Sequence, residues 1–159
     1  MPGDIRSKER AIVSLANANG ASLTNGSAGA AATADFDARA AGNFADDFFA
    51  QFELTCQWAT VTGIAANTIV AELYLVPKAD GTNPPDGDTT AGSSVLPSPT
   101  YVGAFVATKT PVANTNARFV SGIVQFNPLL FTAYILNRSG QTISVNWALK
   151  AVGVQAQYT

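Results

Sequence analysis

Period-two alternation of apolar and polar side chains is the feature that most restricts this chain. In residues 141–151, Ile143, Val145, Trp147 and Leu149 alternate with Thr142, Ser144, Asn146 and Lys150. An apolar run over 127–136 precedes them, across the short sequence Asn137-Arg138-Ser139-Gly140. Alternation of this kind places every second side chain on one face of a strand, and the glycine-bearing turn between the two runs predicts an antiparallel hairpin. The clearest strand covers 47–60, with Phe48, Ala50, Phe52, Leu54, Cys56 and Trp58 on one face and Gln51, Glu53, Thr55 and Gln57 on the other. Phe49 interrupts the polar side and is a candidate contact residue.

Further strands are expected at 68–76, 101–108, 118–125, 129–137 and 155–158, with a short exposed one at 35–39. Residues 79–100 form a long connection rich in Pro, Gly, Asp, Thr and Ser. No segment shows sustained 3.6-residue periodicity and no internal repeat is present, so the fold class is all-β. A single β-sandwich, with jelly-roll topology the first choice, accommodates seven or eight short strands.

The chain divides in composition near residue 46. Residues 17–34 are almost entirely Ala, Gly, Asn, Ser and Thr, with Leu23 the one large apolar side chain, too little to order themselves by burial. The expectation is an extended N-terminal arm with an early strand over 1–46 and a sandwich body over 47–159. Arg6, Lys8 and Arg10 cluster in the arm and, with Phe49, are the candidate interface residues. Residues 1 to about 30 are expected to order against a neighbouring subunit or the shell without contributing to the core, so deleting residues 2–30 should leave thermal unfolding of the free protein nearly unchanged.

The 159 residues can bury a sizeable core, and 47% are hydrophobic while only 13% are charged. A surface so poor in charge points to protein neighbours or, equally compatible with composition, to an extracellular-type sandwich with Ser, Thr and Asn on its outer face. With no histidine, His-dependent triads and zincin motifs are excluded, and the one cysteine, Cys56, cannot form an intrachain disulfide. No cofactor is expected. No apolar segment has the length of a secretory h-region or a spanning helix, which predicts no membrane partner.

Carboxylates offer little chemistry. Were 47–60 and 68–76 a hairpin, Glu72 would sit opposite Gln57, about 13 Å along the strand from Glu53. A glycosidase pair needs roughly 5 to 9.5 Å. Asp80, Asp86 and Asp88 could supply oxygen ligands to calcium but lack the spacing of an EF-hand, so a polar turn is the favoured reading. Asn137-Arg138-Ser139 fits a glycosylation acceptor and is better explained as turn chemistry. No enzyme is expected.

Charge is unevenly placed. All 11 acidic residues and five of the nine basic ones precede Thr89; residues 89–159 hold Lys109, Arg118, Arg138 and Lys150 and no acid. Such opposition favours a defined docking between identical subunits unless strands from the two parts intermix, in which case it cancels in space. Four unclustered cations are too few for a nucleic-acid surface.

Ala71-Glu72-Leu73-Tyr74-Leu75-Val76-Pro77, Asp80-Gly81-Thr82-Asn83, Tyr101-Val102-Gly103-Ala104-Phe105 and Tyr134-Ile135-Leu136-Asn137-Arg138-Ser139-Gly140-Gln141 occur in that order. Together they resemble the small virion structural proteins of tailed bacteriophages, and among these most of all capsid cement or decoration proteins. The resemblance covers about residues 48–152. It implies a compact β-rich subunit, a homotrimer or another closed oligomer, made in the host cytoplasm and bound to the major capsid protein on the capsid surface. A tail or baseplate component, or a carbohydrate-binding sandwich contacting the host, is the alternative; a groove of exposed Trp and Tyr would favour it, but Trp58 and Trp147 both fall on faces expected to be buried.

Overall fold

A computed structural model describes residues 5–16, 22–30, 36–37, 49–77, 100–125, 130–145 and 147–158. It is all-β. The strands are β1 (Ile5–Ala16), β2 (Ala28–Ala30), β3 (Phe36–Asp37), β4 (Phe49–Cys56), β5 (Ile69–Pro77), β6 (Thr100–Val106), β7 (Ala117–Val120), β8 (Val124–Gln125), β9 (Leu130–Asn137) and β10 (Ala148–Tyr158). Two antiparallel sheets form a sandwich. The first has the order β1-β10-β4-β7, with β8 also on β4; the second has the order β2-β9-β5-β6, with β3 also on β9.

Nearly every pairing joins the two halves of the chain. β1 pairs with β10, β2 and β3 with β9, β4 with β8 and β7, and β5 with β6, each pair nested inside the one before. The chain is therefore one antiparallel ribbon, rolled so that β10 also meets β4 and β9 also meets β5. Sequence neighbours mostly lie in opposite sheets.

This arrangement corrects the expected hairpin and rules out the conditional one. β9 and β10 do not pair, because the chain crosses between sheets at 138–147. β4 and β5 do not pair either, so Glu53 and Glu72 lie on different sheets rather than on one outward face. The structure also places Ile5–Ala16, assigned from sequence to an arm outside the core, as an edge strand of the first sheet along most of β10. Residue 46 is no boundary of the sheets. Backbone pairing with β10 and β9 holds β1 and β2, and the segment also reaches the core, where Leu15 of β1 and Leu23 are buried and Val13 packs against the cluster.

The inner faces supply the core. Phe52, Leu54, Cys56 and Trp58 from the β4 side meet Leu73, Phe105, Phe131 and Ile135 of the second sheet, with Trp147 and Leu149 alongside. Phe119 stands edge-on to Trp58, with ring centroids 5.9 Å apart. The alternation expected for 49–58 is observed residue by residue. It fails at Val145, which is exposed, since the chain bends there and enters β10 only at Ala148. The strand expected at 118–125 is split: three residues, 121–123, oppose Gln51 and Phe52, a bulge held by Phe52 N–H donating to Ser121 Oγ at 2.9 Å.

One polar node locks an end of the sandwich. Asn137 is fully buried; its amide nitrogen donates to the carbonyls of Leu23 (2.7 Å) and Gln141 (2.8 Å), and its side-chain oxygen accepts from the Ser139 N–H (3.0 Å). Trp58 Nε1 donates to Ser139 Oγ at 3.0 Å. Gly140 turns the chain at φ +77°, where a side chain would be strained, and its N–H reaches Asn25 Oδ1. The Asn137-Arg138-Ser139 sequence thus serves a sheet-crossing corner, and the Asn137 amide has no room for a glycan. Ile143 completes the corner, bridging both Leu23 and Trp58.

Candidate interface on the outer face of the first sheet

The two outward faces of the sandwich differ in what they leave in water. On the second sheet, Val76, Tyr134 and Leu136 form a small buried cluster with Tyr74 packed against it. On the first, outward positions alternate with the core positions of β4 and β10. Phe49, Gln51, Glu53 and Thr55 alternate with Ala50, Phe52, Leu54 and Cys56, while Lys150, Val152 and Val154 alternate with Leu149, Ala151 and Gly153. Register adds Ile12 beside Val152, Ser14 beside Lys150, and Val120 beside Glu53.

The result is a mixed apolar and charged surface. Ile12 is 70% exposed, Val120 55% and Phe49 41%, with Ile123 exposed within the bulge. Glu53 sits at its centre. Lys150 is its cross-strand neighbour on one side, and Arg118 on the other side donates to its Oε2 through Nη2. The hydrogen bond to Glu53 raises the Arg118 guanidinium further above its ordinary range. A cleft of about 180 Å³ runs between Ile12, Gln51, Glu53, Val120, Lys150 and Val152. Its volume lies below the roughly 300 to 1,000 Å³ that small-molecule sites usually enclose.

The sequence candidates converge here in part. Glu9 pairs with Val154, which pairs with Phe49, so a single row crosses from β1 to β4 over two strand spacings, about 10 Å. Arg6 and Lys8 pair through the backbone with Gln157 and Gln155, and Arg10 falls in the register shift between Glu9 and Ile12. All four candidates, Arg6, Lys8, Arg10 and Phe49, belong to one sheet, but Arg6 and Lys8 hold register positions of the opposite parity to the Glu9–Val154–Phe49 row, so the register does not place them on the face of Phe49. Ile12 and Val120 were missed. The register shift after Glu9 breaks the alternation that would have revealed Ile12, and Val120 lies in a four-residue strand next to a bulge.

The sequence's charge asymmetry is resolved in space by pairing. Arg118 meets Glu53, and Arg138 Nε donates to Glu72 Oε2 at 2.8 Å, each cation from the basic part meeting an acid from the acidic part. Tyr74 donates its hydroxyl to the same Glu72 oxygen, and burial, then that hydrogen bond, push its phenol above the usual range.

Cys56 is buried, and desolvation drives its thiol far above its ordinary range, so it is held as a neutral apolar group. Among the described residues no group of three or more His, Cys, Asp or Glu comes together, and no helix is long and apolar enough to cross a membrane. The calcium candidates Asp80, Asp86 and Asp88, the long connection they occupy, and Phe48 lie outside the described residues. Compared with protein-family models, curated proteins and solved structures, the chain matches none.

Proposed function

We propose that this chain is a non-enzymatic virion structural protein, a cement or decoration subunit that binds a major capsid protein lattice and itself, as a homotrimer or another closed oligomer. The observation that carries the reading is the strand order. With the two-residue strands set aside, orders 1-10-4-7 and 2-9-5-6 in a nested ribbon fit a double Greek-key jelly roll, a roll that viral capsid domains share with lectins. Fold alone does not assign function, so the site must agree with it.

The open outer face of the first sheet supports the same reading. Internal pressure pushes shell subunits apart, and a subunit bridging neighbours adds contact area that expansion must break. Apolar contact contributes about 25 cal/mol per Å² before association costs, so modest interfaces repeated over a shell sum to a large effect. Ile12, Phe49 and Val120 supply the apolar part, and Lys150, Glu53 and Arg118 the charges that set orientation. Both tryptophans are buried, which leaves no tryptophan platform for a host-glycan contact.

The test is co-sedimentation with empty expanded capsids built from the major capsid protein encoded alongside this chain. Saturable binding at hundreds of copies per particle, with a higher temperature of shell disruption, is the expected result. Binding only at a tail, or in a few copies, would replace this reading by the tail component.

A further inference from the structure

The edges of the two sheets are protected unequally. β1 carries Arg6, Lys8, Glu9 and Arg10 and has two register shifts against β10. On the opposite edge of the first sheet, β7 has four residues including Arg118, and β8 has two. β2 and β3, on one edge of the second sheet, have three and two residues. Charge, irregularity and shortness each discourage pairing with another chain.

β6, the remaining edge, has few of these defences. Its seven residues, Thr100–Val106, contain no charge and no proline, and Tyr101 and Val106 are 56% and 41% exposed. An extra residue at Val102 bends the strand against β5 without adding charge. On the side away from β5 no described strand pairs with it.

We infer that β6 is a self-association edge, pairing antiparallel with β6 of a second copy about a two-fold axis. A strand without charge meets its own copy with no like-charge opposition in any register, and β6 alone among the longer edges has no charged residue. Antiparallel pairing brings the Tyr101 end of one strand beside the Val106 end of the other, an aromatic and β-branched pairing of the kind that stabilises sheets. The second sheets of two subunits then join into one continuous sheet, and the outer face of each first sheet remains free. The inference specifies the self-association within the capsid reading and stands or falls separately from lattice binding.

The experiment is sedimentation equilibrium of the full chain and of Val106→Lys, with amide hydrogen exchange of β6 measured across concentration. The wild type is expected to be a dimer, with β6 amides that exchange more slowly as concentration rises. In Val106→Lys, whose exposed site leaves folding intact by circular dichroism, dimer affinity falls at least tenfold and the concentration dependence disappears. Ile12→Lys, on the other sheet, keeps the dimer while weakening capsid attachment. A monomer at all concentrations, a trimer indifferent to Val106→Lys, or wild-type β6 exchange independent of concentration overturns the inference. Each leaves the capsid-binding measurement to judge the functional reading by itself.

Discussion

The second sheet buries an outward cluster, Val76, Tyr134 and Leu136, and among the described residues leaves apolar side chains exposed only toward β6, at Ile69, Tyr101 and Val106, whereas the first keeps Ile12, Phe49 and Val120 in water across its outward face. Tyr134 and Val76 are 3% and 0% exposed on the one, and Ile12 and Val120 are 70% and 55% exposed on the other. Side chains of the same type thus do different work. Where the chain closes over them they contribute to its own stability; where it does not, their burial awaits a partner.

Deleting residues 2–30 tests the contrast most severely, because it removes β1 from the first sheet and β2 from the second. Loss of cooperative thermal unfolding is expected, and a truncated chain that melts like the intact one would return these residues to the status of an arm. Next, Tyr134→Ala and Trp147→Ala should each destabilise by about 3 to 5 kcal/mol in denaturant titrations. A Tyr134→Ala effect as small as that of a surface substitution would show that the second sheet's outer face is open after all.

Asn137→Ala should cost about 2 to 3 kcal/mol, since it strips hydrogen bonds from the carbonyls of Leu23 and Gln141 and from the Ser139 N–H at a buried corner. Urea midpoints would read this loss, and a neutral result would mean that water reaches the corner. Smallest in stability, Phe49→Ser and Ile12→Ser should each stay within about 0.5 kcal/mol of the wild type. Both should nevertheless weaken capsid binding about tenfold, or roughly 1.4 kcal/mol, by quantitative co-sedimentation. Stability loss without binding loss would reverse the roles assigned to the two faces.

Strand positions were largely legible in the sequence, and strand partners were not. Alternation over 49–58 reports burial on one face, a local property, and the buried positions of Phe52, Leu54, Cys56 and Trp58 follow from it. Pairing is non-local. In a rolled ribbon the chain changes sheets at each corner, so the turn at 138–141, which reads as a hairpin, instead carries β9 away from β10. β1 was hidden for a different reason: its register shifts disrupt the period that marks a strand, and its cations read as a tail. Phe49 was visible because a single aromatic residue broke a polar stripe. The surrounding patch was invisible because Ile12 and Val120 reach it from remote parts of the chain.

The nested pairing has a kinetic consequence. β5 with β6 is the only pairing between consecutive strands among the described residues, while β1 must wait for β10 at the far end of the chain. High contact order makes loop-closure entropy come before the reward of pairing, which predicts slow folding that begins at the β5–β6 tip and proceeds toward the termini. During synthesis the first sheet has no centre until its last strand leaves the ribosome, because β10 lies between β1 and β4. Until then β4 can take up β7 and β8 alone, and β1 emerges first yet joins a sheet last.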